Sequence, residues 1–373
     1  MKKNKILVVG AGFAGAVIAR ELAEKNFRVT VIEKKNHIAG NCYTKRDNET
    51  QIMEHVYGPH IFNTNNEKIW KYVKKFGLFK DYVHRVKANI PKGIFSFPIN
   101  LLTINQFYNK KFTPYEASKF IKSKQIKFKN PKNFEEQALS LIGKDLYLNF
   151  FYGYTKKQWG VDPKQLPASI LKRIPLRFNY DDNFHKAKFT GIPLKGYTSV
   201  IKNMLNHKNI KLKINTSWDE SMTDSYLHTF YSGEIDKLFK YKYGKLGYRT
   251  VYWKKKIVNG DYQGTAGINF PHLKDKHTRV YEHKHFTPWE KHQKSIIFFE
   301  YSKETSKNDI PYYPKRLPKD ILKLNKYIKD SKKLKNITLI GRLGTYRYLD
   351  MEDVIFESLQ ISKKFIKKLN KYF

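Results

Sequence analysis

KILVVGAGFAGAVIARELAEKNFRVTVIEK, residues 5–34, is the stretch on which the fold turns. The apolar run at 6–9 predicts a buried strand, the glycines a tight turn, the following apolar periodicity an amphipathic helix to about Glu24, and residues 29–32 a second strand ending at Glu33. Strand, glycine turn, helix, strand and acid in that order form a βαβ dinucleotide fingerprint. Gly10 permits the turn, Gly12 lets the backbone approach a pyrophosphate, and Gly15 lets helix and strand pack closely. Phe13, Ala14 and Lys34 flank these positions and join them as candidate cofactor contacts. Glu33 is placed to accept from ribose hydroxyls and would repel a 2′-phosphate, so FAD or NAD is expected rather than NADP.

Working outward, the far end of the chain returns to the same grammar. NITLIGRLGTYRYLDMEDVIFESLQISKKFIKKL, residues 336–369, reads as a strand, a glycine-containing turn and a helix from near Asp350, with Ile355, Leu359, Phe365, Ile366 and Leu369 as its apolar stripe. The terminal strands are expected to pair in one sheet. A second helix start aimed at the cofactor would stabilise negative charge on a reduced flavin, which favours FAD over NAD. Between the ends, Thr113-Pro114-Tyr115-Glu116 is a capping box and Asn133 with Glu136 opens another helix, so residues 98–172 read as a helical insert. The runs YRTVYW, TAGINF, RVYEHKHF and SIIFFEYS predict an antiparallel sheet.

The expected fold class is therefore α/β, a Rossmann-like FAD-binding domain with a helical-bundle insert and an antiparallel β-sheet substrate domain. The expected boundaries are 1–80, 191–240 and 330–373 for the first, 98–172 for the insert, and 81–97, 173–190 and 241–329 for the third. The 373 residues suffice for such an arrangement. Hydrophobics at 40% and aromatics at 15% exclude a disordered tail despite a net charge of +39. The lysines run through the whole chain without a basic arm, which argues against a nucleic-acid protein. One cysteine, Cys42, excludes an internal disulfide framework, and no run approaches the ~20 apolar residues of a bilayer span. A cytoplasmic protein with no integral membrane segment is expected, with peripheral association at a membrane surface left open by its basic charge.

GYTKKQWG, residues 153–160, interleaves aromatics with lysines and suits a base-stacking surface, a site for one nucleotide or a solvated loop. Its lysines are expected to be solvated. His283 and His285 lie two apart on an expected strand, and two ligands do not make a zinc site, so no metal is expected.

Nine motifs in order, GAGFAGAV, IEKKNHIAGN, HVYGPHIFNT, GYTKKQWG, LPASILKRIPLRF, GIPLKGYT, TRVYEHKHF, PYYP and GRLGTYRYLDM, resemble the UDP-galactopyranose mutase family along essentially the whole chain. The resemblance implies a mutase that interconverts pyranose and furanose forms of a nucleotide sugar without net redox change. In that family the N5 atom of a reduced FAD is the nucleophile at the anomeric carbon. It further implies that Arg173 is a mobile-loop arginine closing over the pyrophosphate, that Arg279 is a second pyrophosphate contact, and that Tyr313 and Tyr348 donate to the same phosphates. His60 stands with these arginines as a catalytic candidate. Gly40, Asn41, His60, Ile61, Arg249, Arg342, Asp350 and Met351 fall at flavin positions. Phe150, Phe151, Tyr154 and Trp159 match the wall that receives uridine, with Tyr154 under the base, and Asn269 matches a deeper substrate contact. Relatives imply a homodimer.

Three positions depart from the family pattern: Asn63 where a histidine is common, Phe184 where a tyrosine is usual, and His84 where some members have asparagine. Lost donors at buried sugar contacts change selectivity strongly. An N-acetylated, 6-deoxy or pentose sugar, or a thymidine nucleotide, thus joins UDP-galactose as a candidate substrate. The alternative activity is an FAD-dependent amine or alcohol oxidoreductase on the same scaffold.

Overall fold

The computed structural model describes residues 4–171 and 176–369. Strands Lys5–Val9, Arg28–Ile32, Ile210–Lys213, His228–Tyr231 and Ile337–Leu339 form one wholly parallel sheet. Both ends of the chain contribute to it as expected, but their strands do not pair. His228–Tyr231 lies between them, hydrogen-bonded to Lys5–Val9 on one side and Ile337–Leu339 on the other. Lys5–Val9 thus sits where the winding reverses, with its second strand on one side and later strands on the other. A crevice at the carboxyl ends follows from that reversal.

Helix Phe13–Ala23 covers this sheet because Val17, Ile18 and Leu22 point inward and are fully buried. Burial of each contributes roughly 1.5–3 kcal/mol. Its small residues Ala16, Ala19 and Ala23 leave room for neighbours, among them helix Met351–Leu369, whose Ile355, Leu359, Phe365 and Ile366 pack into the same core.

The second sheet has seven strands, in the order Tyr313–Pro314, Tyr248–Asn259, Lys294–Glu304, Arg279–Glu282, Gly267–Asn269, Val86–Ile90 and Gly93–Phe97. It is not purely antiparallel: Gly267–Asn269 runs parallel to Val86–Ile90, because the hairpin 86–97 enters from before the insert and adds to the edge in the same direction. The sequence expectation is corrected to a mixed sheet.

The insert begins with helices Leu101–Tyr108 and Pro114–Lys124. Thr113 caps the second in the expected box with Glu116. Asn133 accepts from the Glu136 amide and opens Phe134–Tyr147, which continues through a π-helical turn, Leu148–Tyr152, into Gly153–Trp159. The wider turn presents Phe150 and Phe151 to the insert core and to the cavity it borders.

Candidate functional site

A cavity of about 1490 Å³ runs from the carboxyl ends of the parallel sheet to the seven-stranded sheet and the insert. One ligand pocket usually occupies roughly 300–1,000 Å³, so there is space for two ligands end to end.

Its first half is built from backbone. Val9 pairs with Ile32 and Tyr231, which places Gly10 at the strand ends with φ +101°, and a Cβ there would lie 2.1 Å from the Ser232 hydroxyl. Gly12 is the N-cap of Phe13–Ala23 and supplies no side-chain cap, so the first-turn N–H groups remain available to an anion. Gly40 approaches so closely that its Cβ would lie 3.4 Å from the Gly12 Cα, and a Cβ on Gly341 would lie 3.1 Å from the Ala14 Cβ. Three chain segments converge with no side chain between them, a fit for a pyrophosphate. The Glu33 carboxylate accepts from the Ala11 amide (2.9 Å) and the Lys35 amide (2.9 Å), which fixes it at the strand end on the cavity wall. Lys34, Asn41, Ile61, Asp350 and Met351 also line this half.

His60 stands deeper. Its Nδ1 is 2.7 Å from the Gly58 carbonyl, which can only accept, so Nδ1 carries the proton and Nε2 keeps its lone pair. Burial, with Arg342 nearby, pushes its pKa down to about 4, so the ring is neutral at pH 7. Burial likewise pushes the Cys42 thiol up to about 12, an inert thiol on the cavity wall. The Arg342 guanidinium donates to the Leu349 carbonyl (2.6 Å) and lies 4.8 Å from the Tyr348 ring centre and 5.7 Å from that of Tyr313. It therefore joins the two halves.

The second half is built from side chains. Arg279 is gripped by Glu300 through two bonds, Nε to Oε1 at 2.9 Å and Nη2 to Oε2 at 3.0 Å, and Thr278 donates to the same carboxylate. Burial opposes the Arg279 charge, but the adjacent Glu300 outweighs it and raises its pKa well above the ordinary value. The guanidinium lies 5.9 Å from the Tyr154 ring centre, and Tyr313 stacks on Tyr348. Phe150, Phe151 and Trp159 complete this wall, with Asn269 opposite Arg279 in the sheet register.

Asn63, His84 and Phe184 line a further stretch of the cavity. Phe184 meets the His84 ring edge to face, with centres 5.6 Å apart. His84 is buried, its Nδ1 has no hydrogen-bond partner, and burial beside His185 and Arg279 pushes its pKa down to about 3.

Several expectations need correction. Arg249 does not line the cavity: it is buried behind Gly153–Trp159, where it donates to the Gln158 carbonyl and pairs with Glu304. Gly15 also lies behind the wall, where a Cβ would sit 1.9 Å from the Gly10 carbonyl oxygen. Lys157 is not solvated, since its ammonium is bound by backbone carbonyls. The EHKHF strand stops at Glu282, and His283–Phe286 is a 3-10 turn, so the two histidines share no strand face. His285 instead approaches Asp261 and Glu282 in a group with ligand-type atoms within 4.8 Å. Glu282 there accepts from the Tyr262, Gln263 and Gly264 amides and the Ser295 hydroxyl, which makes the group a loop clasp. Arg173 lies outside the described residues.

Among the cavity residues that escaped the sequence, two are buried and charged. Glu300 sits in the apolar run SIIFFEYS, and only its polarity at a buried register position could have signalled it. Arg177 is 3% exposed, and its Nε and Nη2 have no hydrogen-bond partner, a second buried guanidinium on the wall.

A Rossmann-like domain with a glycine cradle, capped by a sheet and a helical insert around a two-ligand cavity, places the protein among nucleotide-cofactor enzymes. A family model for NAD(P)-binding Rossmann-like domains matches residues 8–76, and one for UDP-galactopyranose mutase matches residues 149–348. The chain is 48% identical to a probable UDP-galactopyranose mutase of Klebsiella pneumoniae, over 99% of this chain and 96% of that protein. It is 50% identical to a dTDP-fucopyranose mutase of Escherichia coli, over 98% and 99%. A solved structure of reduced UDP-galactopyranose mutase shares the fold, with a TM-score of 0.78 at 14% identity over 98% of this chain and 96% of that one. The chain belongs to the UDP-galactopyranose mutase family.

Proposed function

We propose that this protein is a reduced-FAD-dependent mutase interconverting the pyranose and furanose forms of a nucleotide-diphosphate sugar. One observation carries the reading: a single cavity holds a backbone cradle for one pyrophosphate and, across Arg342, an Arg279–Tyr154–Tyr313 wall for another nucleotide. When bound, the reduced flavin supplies a nucleophile at the anomeric carbon. The protein's residues bind, orient and exclude water. The open first turn at Gly12 takes the cofactor phosphates. Arg279, held by Glu300, meets the substrate pyrophosphate, and Tyr154 offers its ring to the base. Neutral His60 keeps its proton at Nδ1 and presents an acceptor at Nε2. Arg173 is proposed to close the site.

The test is turnover under nitrogen with dithionite-reduced and oxidised enzyme. Furanose formation by the reduced enzyme, with no stoichiometric loss of reductant, is expected; bleaching of the oxidised flavin by substrate mole for mole, with no product from the reduced enzyme, would establish the oxidoreductase alternative.

Phe184 supports a second, finer reading. A phenyl ring packed on His84 offers no hydrogen bond to a sugar hydroxyl at that wall, which favours a sugar lacking one, a 6-deoxyhexose. Higher kcat/KM on dTDP-fucopyranose than on UDP-galactopyranose is expected, and the reverse order refutes it. Among the described residues no helix is long and apolar enough to cross a membrane. We place the enzyme in the cytoplasm as a homodimer; sedimentation tests the second statement.

A further inference from the structure

The second lysine in GYTKKQWG, Lys157, is held by backbone carbonyls beside the site. Lys157 Nζ lies 2.6 Å from the carbonyl oxygen of Phe270, 2.9 Å from that of His272, and 2.8 Å from those of Asp275 and His277. An ammonium has three N–H donors, so four carbonyls outnumber them. Such a ring of inward-pointing carbonyl dipoles is the chemistry of a monovalent-cation site, occupied here by a tethered charge. Without the cation the four dipoles would repel one another across the loop.

That loop joins Asn269 to Arg279, opposed residues on adjacent strands that both line the cavity. The tether starts from helix Gly153–Trp159, which carries Tyr154 and Trp159. Two further features show close docking. A Cβ on Gly153 would lie 2.1 Å from the Pro271 carbonyl oxygen, so only glycine permits the approach. At the other end, Arg249 donates to the carbonyls of Lys157 (3.1 Å) and Gln158 (2.9 Å). Gly160, at φ +68°, leaves room for that guanidinium, where a Cβ would lie 2.3 Å from Nη1. Lys156, by contrast, is half-exposed; its ammonium lies 3.3 Å from the Tyr152 hydroxyl, over the ring of that residue, and 4.0 Å from Asp162.

We infer that Lys157 is a positioning residue for nucleotide binding: its ammonium locks the loop between Asn269 and Arg279 onto helix Gly153–Trp159 and so sets the gap between Tyr154 and Arg279. The consequence for turnover rests on the mutase activity proposed above; the consequence for nucleotide binding does not. Loss of the lock displaces two groups that must meet one ligand, and contacts made equally with substrate and transition state are lost as KM while kcat is kept.

The experiment compares Lys157→Met, which fills the space without donors, Lys157→Ala, which opens the carbonyl cage, and Lys156→Ala as control. UDP affinity is read by calorimetry, KM and kcat with reduced enzyme, and amide exchange across residues 270–277. Lys157→Met should weaken UDP binding and raise KM about tenfold or more, with kcat changed by less than about threefold and flavin content unchanged. Exchange at 270–277 should accelerate. Propylammonium chloride should restore at least about threefold of the UDP affinity of Lys157→Ala, beyond an equal concentration of tetramethylammonium chloride, which cannot donate. UDP affinity within about twofold of wild type in Lys157→Met, or a loss matched by Lys156→Ala, overturns the inference. Should Lys157→Met not fold, Lys157→Gln, which keeps one amide donor group, must show the same weakening or the inference fails. If the wild type binds UDP but does not isomerise a sugar, the activity reading fails, and UDP affinity still decides the role of Lys157.

Discussion

The two halves of the cavity are built on opposite plans. The cofactor half is built largely from backbone: Gly10, Gly12, Gly40 and Gly341 bring chain segments together by lacking side chains, and Glu33 adds a charge held by two backbone amides. The nucleotide half consists of charged and aromatic side chains from positions 154, 279, 300, 313, 342 and 348, held by an ion pair, stacking and carbonyl clasps. A backbone site fails by steric collision; a side-chain site fails by loss of a partner. The first should therefore break all at once and the second by degrees.

The largest effect is expected at Gly15→Val. Its Cβ would meet the Gly10 carbonyl at 1.9 Å and Val8 at 3.0 Å, so the turn must move. The purified protein should lack yellow colour and lose about 3 kcal/mol or more in urea unfolding. On the other side, Glu300→Ala strands the Arg279 guanidinium next to Tyr154. Glu300 is 2% exposed but Arg279 is partly open to the cavity, so the cost should be about 2–3 kcal/mol, with flavin retained and KM raised. Loss of flavin from Glu300→Ala would erase the contrast between the halves.

Acid should loosen the side-chain half. His84 and His283 pack against Phe286, and burial lowers both to about 3 from an ordinary 6.5. Below pH 6.5 the unfolded chain takes up protons that the folded chain refuses, so stability falls as pH drops from 6.5 toward 3. Each histidine contributes up to about 1.4 kcal/mol per pH unit. Between pH 6.5 and 5.5 the pair should cost roughly 2 kcal/mol, measured by denaturant midpoint, and His283→Asn should flatten the slope. Tyr154→Ala should weaken UDP binding by about 1–3 kcal/mol without changing the flavin spectrum. The smallest change is Phe184→Tyr, which returns one hydroxyl to the wall beside His84. It should shift the sugar preference toward UDP-galactopyranose by about tenfold or less, read as a ratio of kcat/KM.

Much of the fold was legible because its signals are local. The glycine spacing, the apolar periods of Phe13–Ala23 and Met351–Leu369, and the caps at Thr113 and Asn133 each act within a few residues, and the structure shows them where the pattern places them. Strand order was less so: nothing near residue 337 says that His228–Tyr231 will intervene. Many of the candidate cavity residues lie in the ordered motifs, whereas Arg249, in the strand run YRTVYW, was placed at the flavin by resemblance alone. A matching position in a family does not say whether a side chain faces the ligand or the packing behind it.

GYTKKQWG shows where that division falls. The sequence alone determined the dinucleotide domain, the insert and the family, because periodicity, glycine turns and ordered motifs are carried by neighbouring residues. Only the tertiary structure decided that Gly153 admits the Pro271 backbone, that Gly160 makes room for Arg249, and that Lys157 faces four carbonyls instead of water. The physical reason is that each role belongs to a partner about a hundred residues away. A lysine next to a lysine looks the same in sequence whether its charge ends in solvent or in a ring of dipoles.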